Sequence, residues 1–125
     1  MNAVDLAIAG TSPGPQPSFR VVEVGTVPVL IEDGRALILW AQLENRGAAI
    51  AGTRVVFTVY GSNGDPTWSA WHDALAWASG ERKQLEVQLD QPTLPAGDYA
   101  FDVAVVSVDP PVTWGTATGV LSLRD

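Results

Sequence analysis

From residue 35 onward the chain falls into short stretches in which apolar and polar side chains alternate with a period of two. Gly, Pro, Asn and Asp separate these stretches. That period belongs to an extended strand with one buried face, and a helix cannot satisfy it. In residues 35–44, Leu37, Leu39, Ala41 and Leu43 fall on one side, and Ile38, Trp40, Gln42 and Glu44 on the other. In residues 54–60, Val55, Phe57 and Val59 oppose Arg54, Val56, Thr58 and Tyr60. Leu85, Val87 and Leu89 alternate with Gln84, Glu86 and Gln88, and Tyr99, Phe101, Val103 and Val105 with Ala100, Asp102 and Ala104. Each first set reads as core. Further strands are expected over 4–9, 20–24 (extended by 28–31 after a turn) and 116–123. Seven to eight strands at this spacing predict an all-β fold, a sandwich or a barrel.

The chain has 125 residues, which predicts a single domain spanning 1–125. Thr11 to Ser18 reads TSPGPQPS and is expected to be a Pro-rich loop or linker. No Cys is present, which excludes a disulfide framework, a thiolate zinc site and a cysteine nucleophile. The net charge of −7 makes nucleic acid and anionic membrane poor partners. No apolar run approaches the roughly 18 residues of a membrane helix. The apolar run 4–10 is too short for a signal sequence and is interrupted by Asp5, so no signal peptide is read in this chain.

One segment carries conflicting signals. Asp65-Pro66 resembles a helix cap followed by Pro, the next residues are Ala-rich, and Gly80 stands where a helix would end. Trp68, Trp71 and Leu75 would then share a helical face. Read as a strand, Trp68 and Ala70 point opposite to Ser69 and Trp71. The strand spacing around 66–79 favours an extended strand followed by a loop.

From Arg35 onward the chain resembles the immunoglobulin-like or fibronectin-like sandwich modules attached to bacterial secreted glycoside hydrolases, adhesins and proteases. The residues that carry the resemblance are ALILWAQLENRG, VVFTVYGSNGD, WSAWHDALAWASGERKQLEVQL and LPAGDYAFDVAVVSVD. They include an Asn-x-Gly turn at Asn45 to Gly47 and a PAG-x-Y turn at Pro95 to Tyr99. The resemblance implies a non-catalytic accessory domain of a larger extracellular bacterial protein. It also supports the strand reading of 66–79 and implies inward positions for Trp68 and Trp77. Modules of this kind either bind carbohydrate or act as spacers, and fold alone does not decide between these.

The Trp content bears on that choice, since five of the ten aromatic residues are Trp. An exposed indole can stack on the apolar face of a sugar ring while neighbouring polar groups bond the hydroxyls. The candidate carbohydrate-binding residues are Trp40, Trp71, Trp114 and Tyr60, and the expected partner is plant cell-wall β-glucan, cellulose or xyloglucan-like. Trp40 falls on an outward face and is read either as a stacking platform or as covered by residues 4–8. Trp71 is expected outside. Trp114, in the loop before the last strand, is either a binding residue or a hydrophobic lid. Tyr60 either extends the platform or packs across strands. Arg54 and Asp102 are read as a surface ion pair, and Gln84, Glu86 and Gln88 as a solvated strand face.

Catalytic chemistry has little to build on. A Ser-His-acid triad would require His72, but Asp73 beside it points to the opposite face of a strand, and there is no G-x-S-x-G elbow. Gly61-Ser62-Asn63-Gly64 reads as a hairpin turn and not a phosphate loop. No cofactor is required. A structural calcium is compatible with the oxygen-rich turns Glu32-Asp33 and Asn63 to Asp65, with its ligands left open. The domain is expected to be a monomer, with an attached glycoside hydrolase as a further partner.

Overall fold

A computed structural model describes residues 16–31, 34–90, 94–108 and 111–123. The strand expected over 4–9, the cover expected from 4–8, most of the Pro-rich segment and the turn Glu32-Asp33 lie outside these residues. Seven strands are described: β1 (Phe19–Ile31), β2 (Gly34–Asn45), β3 (Ile50–Tyr60), β4 (Pro66–Trp77), β5 (Arg82–Asp90), β6 (Gly97–Val108) and β7 (Pro111–Leu123).

They form two antiparallel sheets, ordered β1-β2-β5 and β4-β3-β6-β7. An immunoglobulin constant domain divides its strands four and three, and here the fourth strand lies in the other sheet. The inner faces meet in a core of Leu37, Leu39, Ala41 and Leu43 from β2, Val55, Phe57 and Val59 from β3, and Phe101, Val103 and Val105 from β6. Those are the residues that the alternation assigns inward. Tyr99, at the start of β6, donates its hydroxyl to the Pro95 carbonyl at 2.6 Å. This backward bond is the corner contact typical of immunoglobulin-like sandwiches, and it explains the PAG-x-Y turn.

Residues 66–77 are extended, as the strand spacing indicates, and β4 pairs along the edge of β3. Pro66 is tolerated because it is the first residue of an edge strand. The alternation does not run cleanly through β4. Its register against β3 slips between Val55/His72 and Thr53/Leu75, and Ala74 there has a φ of 55°. This is a bulge, which inserts an extra residue and re-aims the side chains around it.

Two expected boundaries change. Residues 20–24 and 28–31 are one continuous strand, paired in register through the expected turn, with an irregularity only between Val21 and Glu23. The last strand begins at Pro111 and not Thr116, so Trp114 lies within β7 rather than in a loop. It is accommodated by a second bulge: Val105 pairs with Gly115 and Val106 with Thr113, leaving Trp114 as the extra residue.

Asn45 holds one end of the sandwich and is fully buried. Its side-chain oxygen accepts from the Gly47 amide at 3.1 Å and the Ser18 amide at 3.4 Å. Its side-chain nitrogen donates to the carbonyls of Ala48 at 2.8 Å and Ala78 at 3.3 Å. A Cβ at position 47 would run into the Gln16 carbonyl, so this turn requires Gly.

Candidate functional site

The outer face of the four-stranded sheet is assembled from rows of cross-strand neighbours. Trp71, Val56, Ala104 and Thr116 form one row, and Ser69, Thr58, Asp102 and Thr118 the next. Between them the side chains are short, so Trp71 rises from a flat floor. Its relative exposure is 51%, the most of any Trp among the described residues. Tyr60 lies on the same face, four residues along β3 from the partner of Trp71, a separation of about 13 Å along the strand.

Trp71 is exposed but not loose. The Arg54 guanidinium sits over its ring, 5.3 Å from the centroid. Arg54 is itself held by two hydrogen bonds to Asp73, from Nε to Oδ1 at 3.2 Å and from Nη2 to Oδ2 at 3.0 Å. Asp73 also accepts from the Ala74 amide at 3.0 Å, within the bulge. The Arg54 hydrogen bond, followed by that amide, lowers the Asp73 carboxyl below its ordinary pKa, and the same pair raises Arg54. The expected Arg54–Asp102 ion pair is therefore corrected. In the β3–β6 register Asp102 stands opposite Thr58, whereas the β4 bulge turns Asp73 toward Arg54.

Asp102 instead accepts a hydrogen bond from Thr118 at 3.0 Å, and Asp98 accepts one from Ser122 at 2.7 Å. Burial, then the charge and hydrogen bond of Asp102, push the Tyr60 phenol above its usual pKa. Trp71 and Tyr60 thus share a face whose paired cation, Arg54, is matched by Asp73, and on which Asp98 and Asp102 are further carboxylates among the described residues. A shallow cleft of about 310 Å³ continues the face beyond Arg54, between Val106 and Thr113.

The other two candidates lie elsewhere. Trp40 is half-buried on the outer face of the opposite, three-stranded sheet, flanked across the register by Gly25 and Glu86. Trp114 packs partly buried against the core, and its indole nitrogen is buried without a hydrogen-bond partner. Trp77 is 1% exposed, and Trp68 packs against the same core, as their inward assignment expects. Trp77 lies edge-on to Phe19, with ring centroids 4.9 Å apart.

Sequence reasoning missed Asp73 as the partner of Arg54, because the bulge that aims it has no clear local signature. It also missed Gly25, although a lone Gly inside a strand signals a close approach by another group. His72 donates from Nε2 to the backbone carbonyl of Glu86 at 2.6 Å, linking the edges of the two sheets. Asn63 and Asp65 are bonded to each other within their turn. No group of three or more metal-ligating side chains occurs among the described residues.

These features define an all-β, immunoglobulin-like sandwich with an ordered aromatic residue on one sheet face. No protein-family model matches the sequence, and no curated protein does. Solved glycoside hydrolases contain the same fold. The Bacteroides uniformis β-glucuronidase matches over 90% of this chain and 13% of its own, with a TM-score of 0.62 at 11% identity. A β-glucuronidase from glycoside hydrolase family 2 matches over 83% of this chain and 11% of its own, with a TM-score of 0.61 at 14% identity. β-Glucosidase 3B from Thermotoga neapolitana, in complex with α-D-glucose, matches over 87% and 16%, with a TM-score of 0.53 at 16% identity. The chain spans only a small part of each enzyme, and at these identities the likeness is one of fold. The shared feature is an antiparallel two-sheet β-sandwich.

Proposed function

We propose that the chain is a non-catalytic carbohydrate-binding module for neutral β-glucan, cellulose or xyloglucan-like, acting as a monomeric accessory domain of a secreted bacterial glycoside hydrolase. The observation that carries this reading is Trp71, a large apolar ring that stands half in water yet is fixed in orientation by the Arg54–Asp73 pair. Leaving an indole exposed has a hydrophobic cost, and fixing it prepares a flat surface that loses little freedom on binding. Arg54 occupies one side of the ring and leaves the other for a sugar. Tyr60 lies far enough along the face to meet a different ring of the same glucan chain. Ser69, Thr58 and Asp102, between the two aromatics, supply hydroxyl and carboxylate partners for sugar hydroxyls. The acidic character of the face favours an uncharged polysaccharide.

Calorimetric titration of the full chain with soluble β-glucan tests the proposal. Binding that weakens by about tenfold or more in Trp71→Ala is expected. A wild-type chain that binds neither soluble nor insoluble β-glucan would instead be a spacer or protein-interaction domain.

A further inference from the structure

Resting on the β-glucan reading above, we infer that the domain carries a second glucan site, centred on Trp40, and is therefore bivalent. The two sheets of a sandwich lie about 10 Å apart with the core between them. Trp40 and Trp71 project from opposite outer faces, so no single polysaccharide chain lying on one face can touch both. A functional role for both residues requires two sites.

The geometry of Trp40 suits such a role. It stands on β2, the central strand of its sheet, opposite Gly25 on β1. A Cβ built on Gly25 would lie 2.6 Å from Cζ2, 2.8 Å from Cε2 and 3.0 Å from Nε1 of Trp40. The indole therefore rests on the glycine backbone, close enough that even a methyl group would displace it. The ring is half-buried, held close against the backbone at Gly25. Gln42 follows on the same face, paired with Gln84 across the sheet, and Glu86 stands directly opposite Trp40. The amides provide both donors and acceptors at the edge of the ring, and the carboxylate adds acceptors, which is what the rim of a pyranose requires. The ligand class is again a neutral glucan, since Glu86 stands opposite the ring and Glu23 opposite Gln42.

A bivalent module joins two polysaccharide strands, or holds one enzyme between them, and gains avidity that neither face has alone. The test is titration of the full chain with a soluble cello-oligosaccharide, together with the viscosity of a long soluble β-glucan in its presence. Wild type is expected to bind two oligosaccharides per chain and to thicken the glucan. Trp71→Ala and Trp40→Leu are each expected to bind one and to lose the thickening, and the double variant to bind none. Leu keeps Gly25 covered, which protects the fold, and Gly25→Ala gives an independent check because it displaces the indole without removing it. A single site in wild type, unchanged by Trp40→Leu and by Gly25→Ala, overturns the bivalent assignment and leaves the Trp71 site standing. Absence of all oligosaccharide and glucan binding overturns both.

Discussion

The Trp77 indole donates a 2.8 Å hydrogen bond to the Thr53 hydroxyl in the interior of the sandwich. Thr53 in turn donates to the Leu75 carbonyl at 3.1 Å. The relay satisfies a buried N–H and ties β3 to the bulged part of β4. Thr53→Val keeps the shape but leaves the indole nitrogen without its acceptor. It is expected to destabilise the domain by about 1–3 kcal/mol. Urea unfolding measures this, and glucan affinity should be unchanged.

Trp114 presents the opposite case, a buried indole nitrogen with no partner. Trp114→Phe removes that unsatisfied donor and keeps most of the ring. Stability is expected to hold or rise, because desolvating an unpaired N–H costs about 1–3 kcal/mol. Thermal unfolding and calorimetry together check the result. Loss of glucan binding in this variant would return Trp114 to the site.

The Arg54–Asp73 pair predicts how binding responds to acid. The folded pKa of Asp73 is lowered, chiefly by its hydrogen bond to Arg54. The order that the pair gives Trp71 is therefore fully present above the unfolded value of about 4 and is lost as pH falls through the lower folded value. Affinity for β-glucan should be flat from neutral pH to about 5 and decline only below about 4. Asp73→Asn should bind more weakly at neutral pH and lose most of this acid dependence. Calorimetry across the pH series distinguishes the two profiles.

The carboxylates of Asp98 and Asp102 on the Trp71 face, with Arg54 already matched, predict discrimination by charge. A uronate-bearing glucan should bind more weakly than its neutral counterpart, and added salt should narrow the difference by screening. Asp102→Asn should narrow it too. Equal affinity for both polymers at low salt would contradict the electrostatic account of the face.

The sandwich was legible because β2, β3 and β6 each bury one full face, so hydrophobic alternation and burial coincide residue by residue. Residues 66–77 were harder. Their local composition suits a helix, and it is pairing with β3 that makes them extended. The outward direction of Trp40 followed from alternation, and that of Trp71 from alternation together with the inward place that the resemblance implies for Trp68, but what lies beneath or beside each ring did not. Gly25 meets Trp40 only through the β1–β2 register, and Asp73 meets Arg54 only because Ala74 adopts a positive φ. Trp114 was misplaced for the same reason: a bulge admits an extra residue into a strand without announcing itself in composition.

The bulge at Asp73 and Ala74 also governs how one molecule meets another. β4 is an outer strand, and a straight outer strand offers a row of free amides and carbonyls to any similar edge. The kink interrupts that row partway along, and His72 on the same strand is tethered to the neighbouring sheet through the Glu86 carbonyl. A second copy would find only a short, bent length on which to add a strand. Molecules crowded along a polymer would therefore remain separate particles at this edge and would not zip into a continuous sheet.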